Sequence, residues 1–161
     1  MASVDYFLKI AGIQGESQDA KHKDEIDVMS WSWGATNAGT MAHGGGGGAG
    51  KVSMQDFHFT MRVNKATPKL ALAMSNGTHI PECLLTLRKA GKDQQEFLKI
   101  KFSDVLISSY LTSGSGGEME GSESCSFNYS KIEYEYRPQK KDGTLDGPVT
   151  FNWSVKTNTG A

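Results

Sequence analysis

Residues 149–156 read Val149-Thr150-Phe151-Asn152-Trp153-Ser154-Val155-Lys156. Apolar and polar side chains alternate strictly, which sets every second residue on the same side of an extended chain. The period defines a half-buried strand with Val149, Phe151, Trp153 and Val155 on its apolar face. Upstream, Cys125, Phe127 and Tyr129 are in phase, and Ile132, Tyr134 and Tyr136 follow in the opposite phase. One extra residue near Ser130 and Lys131 accounts for the switch, and a β-bulge supplies one. Leu98, Ile100 and Phe102 alternate with Lys99 and Lys101. Glu82 to Ala90 precedes them across the polar Gly91-Lys92-Asp93, so the two runs read as a hairpin. Within it Cys83-Leu84-Leu85 is apolar on both faces, a pattern of burial beyond one core. Farther out, Phe57, Phe59 and Met61 share one face, and Tyr6, Leu8 and Ile10 begin another strand.

One segment reads as helix. Thr67 is a capping residue type, Pro68 fits the first helical position, and Leu70 and Met74 lie one turn apart. Asn76-Gly77 offers a left-handed stop about ten residues on. Many short strands with one helix predict an all-β barrel or sandwich. The Gly-rich stretches Gly44 to Gly50 and Ser113 to Gly117 read as loops, so residues 1–161 are expected to form a single domain.

Composition narrows the function classes. The chain has 161 residues, 37% of them hydrophobic and 22% charged, with a net charge of −1. A domain of this size buries roughly two-thirds of its unfolded surface. No basic excess points to nucleic acid or an anionic membrane. No apolar run approaches the ~20 residues of a spanning helix. The first ten residues contain Asp5, no basic region and no continuous apolar stretch, so folding in the cytoplasm is the expectation. Cys83 and Cys125 are far apart and in no metal-ligand spacing, and buried reduced thiols are expected.

Motifs with catalytic or ligand chemistry fail on context. Gly45 to Lys51 fits seven positions of a phosphate-binding loop, but Val52 stands where a magnesium-binding hydroxyl belongs. The residues after it, Ser53 to Thr60, alternate like a strand instead of opening a helix onto phosphates. There is no Gly-x-Ser-x-Gly elbow. His22, His43, His58 and His79 are scattered, which suggests surface or capping roles. Asp24, Glu25 and Asp27 read as a solvated face. Trp31 and Trp33 share a face with Met29, and paired tryptophans read first as core. Ser30 and Ser32 point the other way together with Ile26 and Val28, toward water or a partner. Trp31, Trp33 and Trp153 on a β-sandwich would also suit a monomeric sugar-binding module, the alternative function class.

Taken in order, several segments resemble the haemolysin-coregulated protein family, Hcp, the inner-tube subunit of type VI secretion. They are Gly15-Glu16-Ser17 with Asp19 and His22, then Glu25-Ile26-Asp27-Val28 leading into Ser30-Trp31-Ser32-Trp33-Gly34. Ala49-Gly50-Lys51-Val52 closes the Gly-rich run, and Arg88-Lys89-Ala90-Gly91, Ser108-Ser109, Ser113-Gly114, Gly116-Gly117-Glu118 and Tyr136-Arg137-Pro138-Gln139 follow. Met119 and Glu120 depart from the family's usual loop residues.

The resemblance implies a two-sheet β-barrel with one short flanking α-helix and an extended Gly-rich loop. It implies a structural protein without catalytic residues, cofactor or metal. Homohexameric rings would stack with themselves into a tube inside a sheath, meet a spike protein and carry small effector cargo. Release from the cell would need no cleaved signal, and the chain ending at Ala161 resembles the plain tube form. Carried onto this sequence, the ring-stacking loop comprises Met41, His43, Gly44, Gly45, Gly46, Gly47, Gly48 and Lys51. Ser30 and Ser32 are the residues expected to face the lumen.

Overall fold

In the computed structural model, residues 3–39, 51–91, 93–117 and 121–161 are described. Met41, His43, Gly44 to Gly48, Lys92, Met119 and Glu120 therefore lie outside the described residues. The elements in chain order are β1 (Val4–Ile10), β2 (Ile26–Asp27), β3 (Ser30–Ser32), β4 (Ala35–Asn37), β5 (Val52–Met54) and β6 (Phe57–Arg62). Helix α1 (Thr67–Asn76) follows, then β7 (Ile80–Lys89), β8 (Gln95–Ser113), β9 (Ser122–Asn128), β10 (Lys131–Tyr136), β11 (Val149–Ser154) and β12 (Thr159–Gly160).

Strand β8, 19 residues long, holds the two sheets together. Its first half pairs with β7 and β10 in a sheet ordered β12-β11-β10-β8-β7-β1-β2. Its second half pairs with β9 in a sheet ordered β3-β6-β9-β8. The strand turns between sheets at Asp104, whose φ of 54° lies in the left-handed region. Ser130 donates to the Asp104 carboxylate at 2.7 Å, and the His79 ring lies 3.0 Å from it. A register shift at Ile107–Ser109 adds the twist of a bulge just beyond. All pairings among the described residues are antiparallel, and the small β4–β5 pair stands apart.

The other crossings correct two sequence readings. The phase change near Ser130 is not a bulge within one strand. The chain leaves the second sheet after Asn128 and enters the first at Lys131, so the strand breaks and its pairing partners change. Bulged registers occur instead at Leu87–Arg88 and Ile107–Ser109. Likewise Val28 N–H donates to Tyr6 O in the first sheet, and the next residue, Met29, donates to Thr60 O in the second. Alternation slips by one at that crossing. Ile26 and Val28 are therefore buried, not on the serines' face, and Met29 is exposed.

The core lies between the sheets. Phe57, Phe59, Phe102 and Phe127 are fully buried, and Phe57 sits 4.9 Å from Phe102 and 5.0 Å from Phe127, centroid to centroid. Tilted rings at that spacing combine large apolar burial with favourable quadrupole geometry. Strand β11 departs from expectation. Trp153 packs on the core, but Val149 is 64% and Phe151 37% exposed, so its apolar face outruns the cover that the second sheet provides.

Helix α1 has the expected span. Pro68 lies in its first turn, and Gly77 ends it at φ 67°. Thr67 is not the cap: Ala66 holds the N-cap position, and Asn64 Oδ1 accepts the Ala66 N–H at 2.8 Å. Leu70 and Ala73 are the buried residues, while Met74 is exposed. Thr67 and Tyr110 hydroxyls both donate to the buried Glu123 carboxylate, which ties the helix start to the second sheet.

Candidate functional site

The β3-β6-β9-β8 sheet presents two chemically distinct faces, set by alternation. Inward, one row runs Trp31–Phe59–Cys125–Tyr110. Outward, the neighbouring rows run Ser32–His58–Ser126–Ser109 and Ser30–Thr60–Ser124–Leu111, and a third runs Arg62–Ser122–Ser113. The outward face is thus a lawn of hydroxyls. Ser30 and Thr60 share a hydrogen bond, Ser126 meets both Ser108 and Ser109, and Ser108 donates to Asp56 at 2.6 Å. These small side chains satisfy one another, while His58, Arg62 and the exposed Leu111 stand among them. Ser30 and Ser32 are exposed on this face.

Both borders of this sheet are open. Among the described residues no strand pairs with the outer side of β3, and residues 106–113 of β8 pair only with β9. Unpaired edges carry rows of free N–H and C=O groups that template another strand. On the first sheet, Tyr136, Val149 and Phe151 add an uncovered apolar strip, and the Trp33 ring lies 6.5 Å from that of Phe151.

Among the described residues no group of three His, Cys, Asp or Glu side chains is placed to hold a metal. Cys83 and Cys125 are free and buried, and burial pushes both thiols up, Cys125 to about 12. A thiol so disfavoured as thiolate is not a nucleophile. Trp33 donates to the Tyr129 hydroxyl, which donates onward to Gln55 O at 2.8 Å; burial raises that phenol to about 12. Lys51 is exposed, and the residues after it form β5, so a strand follows where a phosphate site needs a helix. No helix among the described residues is long and apolar enough to cross a membrane.

A second polar feature escaped the sequence reading. The segment between β1 and β2 folds over the outer side of the first sheet. Arg88, 2% exposed on β7, donates to both Asp19 oxygens at 2.9 and 2.6 Å and to Asp5 at 3.2 Å. Arg88 holds the Asp19 carboxyl well below the usual carboxylate range. His22 is buried, not at the surface, and stacks on Phe7 at 4.3 Å. Its Nδ1 lies 2.9 Å from Glu25 and its Nε2 2.7 Å from Glu96. Glu25 is therefore a partner of His22 and not part of a solvated face, whereas Asp24 stays at the surface near Lys65. The Gly15-Glu16-Ser17, Asp19, His22 and Arg88 segments, remote in sequence, meet here.

Comparison with known proteins places this geometry in a class, that of type VI secretion proteins. Residues 7–136 match the family described as "Type VI secretion system effector, Hcp". Hcp1 of Pseudomonas aeruginosa is 48% identical over 161 residues, 99% of each chain. A solved type six secretion system protein superposes with a TM-score of 0.93 at 34% identity, covering 99% of this chain and all of that one. Hcp1 of Salmonella typhimurium gives 0.81 at 33%, again covering 99% of this chain and all of the other. The chain belongs to the Hcp family of type VI secretion proteins.

Proposed function

We propose that this chain is the inner-tube subunit of a type VI secretion machine, a structural protein that works as a homohexameric ring. The observation that carries the reading is the four-stranded sheet with open borders on opposite sides, β3 and the second half of β8. Pairing one copy's β8 edge with the next copy's β3 edge is a head-to-tail contact, and such contacts generate rings when the rotation closes. Closure would turn the hydroxyl face inward as a continuous lumen wall lined by Ser30 and Ser32. It would also bring a neighbour toward the strip at Tyr136, Val149 and Phe151. A wall rich in hydroxyls, with His58, Arg62 and Leu111 among them, suits a channel through which effector cargo must slide without lodging.

Stacked rings would form the tube, with Met41, His43, Gly44 to Gly48 and Lys51 reaching the adjacent ring. A sheath outside and a spike protein at the tip complete the partners. The subunit would reside in the cytoplasm before firing and leave the cell with the tube, without a cleaved signal. Disulfide cross-linking tests the edge pairing. Cysteine at Ser32 is combined in turn with cysteine at Ser108, Leu111 or Ser113, and the native thiols are buried and stay silent. At least one pair is expected to give a ladder ending at six subunits on oxidation. A ladder that stops at two, or none for any pair, contradicts the reading.

A further inference from the structure

Three Asn-Gly or Asp-Gly pairs occur in the chain: Asn76-Gly77, Asp142-Gly143 and Asp146-Gly147. In such a pair the glycine amide nitrogen is free to attack the side-chain carbonyl carbon of the residue before it, because no Cβ shields it. The fold restrains two of the three. Gly77 N–H is used as the helix cap on Ala73 O, and Asn76 Oδ1 is turned to the Thr78 N–H at 3.0 Å and to the Thr78 hydroxyl. Gly143 N–H donates to Lys140 O at 3.0 Å. Asp142 Oδ1 accepts from the Thr144 N–H at 3.0 Å and from the Thr144 hydroxyl at 2.7 Å. Those Thr144 bonds hold the Asp142 carboxyl below the usual range, so it stays a carboxylate, a poor electrophile.

The third pair is assembled for the reaction. Gly147 N–H donates to Oδ1 of Asp146 at 2.7 Å, so nucleophile and carboxyl are already in contact. The backbone around them is fixed: Asp146 N–H donates to Pro138 O at 2.7 Å, and Arg137 Nε–H donates to Asp146 O at 3.0 Å. Taking the proton from the Gly147 nitrogen moves negative charge onto Asp146 O, the atom that the Arg137 guanidinium faces. Asp146 and Gly147 are both exposed to water.

We infer that Asp146-Gly147 is a site of spontaneous backbone isomerisation, with isoaspartate at position 146 as its product. The Gly147 nitrogen attacks Cγ of the protonated Asp146 carboxyl and gives up its own proton. A C–N bond forms, one carboxyl C–O bond breaks, and that oxygen leaves as water. The resulting five-membered succinimide then takes up one water. Addition at Cγ restores aspartate. Addition at the former main-chain carbonyl leaves the chain running through Cβ, with a free α-carboxylate. The water lost is regained, so mass is unchanged and no other reactant is needed. The connection from β10 to β11 gains one backbone carbon just ahead of Val149. Val149 pairs with Tyr136 there, so ageing alters the end of the ladder that carries the exposed apolar strip.

The test ages the full chain in neutral buffer at physiological temperature, beside a peptide of residues 137–150. Digestion and chromatography separate the isomers of equal mass, and an endoproteinase that cuts before aspartate but not before isoaspartate assigns them. In the peptide nothing restrains either Asp-Gly pair, so both react. In the folded chain the ratio of isoaspartate at 146 to that at 142 is expected to exceed the peptide's ratio at least about tenfold. The same ratio in both, or product mainly at 142 or 76 in the folded chain, overturns the inference. Gly147→Ala places its Cβ in open space and shields the nitrogen. It is expected to remove the product at 146 while leaving the melting temperature unchanged, and product that persists overturns the inference equally. Arg137→Met is expected to slow the reaction at 146 in the folded chain but not in a peptide carrying the same change. No slowing, or equal slowing in both, overturns the role given to the arginine.

Discussion

Replacing Arg88 with Met tests how the segment between β1 and β2 is fastened. Methionine refills the volume of the arginine stem and removes the guanidinium. The lost contacts are the paired bonds to Asp19 at 2.9 and 2.6 Å and the longer one to Asp5 at 3.2 Å. Hydrogen bonds to charged groups contribute about 1.5–3 kcal/mol each, with overlap when one group makes several. Breaking a fully buried pair costs about 3–5 kcal/mol because a bare charge is left behind. Here the carboxylates left behind are 21% (Asp19) and 40% (Asp5) exposed, so water recovers part of that cost. The expected loss is about 2–3 kcal/mol, or about 1–1.5 M in urea midpoint. Asp19→Asn leaves the buried cation with Asp5 alone and is expected to cost more. The pH dependence follows from Asp19, whose folded pKa is depressed. Its contribution is fully present above the ordinary aspartate range near about 4 and is lost as pH falls below it. Wild type therefore loses stability toward acid, and Arg88→Met loses less over the same interval. Urea melts at fixed subunit concentration, at neutral pH and near about pH 3, measure both. A midpoint unchanged in Arg88→Met, or an identical acid loss in the two proteins, refutes the reasoning.

Ser32→Gln touches no core atom, so stability is expected to change by under about 0.5 kcal/mol, read by thermal melting, while co-purification of lumen cargo falls. Gly15→Ala is expected to destabilise by about 1–3 kcal/mol in urea melts, because a Cβ there would meet Glu25 O at 2.6 Å and Ile26 Cα at 2.8 Å, both backbone atoms. Removing Gly44 to Gly48 is expected to leave ring mass unchanged and to shorten tubes in electron micrographs. ATP is expected to leave the melting temperature unchanged, and a rise that Lys51→Ala abolishes would restore the phosphate reading.

What the sequence made legible was local. Alternation located β1, β3, β6, β7, the first half of β8, β9, β10 and β11, and Pro68 and Gly77 bracketed the helix. Alternation does not say which sheet a strand joins, so the crossings at Val28–Met29 and Asn128–Lys131 were misread as a continuous face and as a bulge. Nor does it say whose atoms cover an apolar face, and Val149 and Phe151 are open in the subunit. Ser30 and Ser32 were found on the outward face, and the same alternation against Cys125 and Phe127 would have added Ser124 and Ser126. The Arg88 and His22 cluster had no periodic signature. Its partners lie 69 and 74 residues apart, so only tertiary structure joins them.

The central claim is that this subunit closes its open sheet borders on copies of itself. Native mass spectrometry of the purified chain at micromolar concentration tests it most directly. A ring of six predicts a dominant species of about 105 kDa, six times the 17.5 kDa subunit, that loses one chain at a time on activation. A dominant 17.5 kDa species under the same conditions would contradict it.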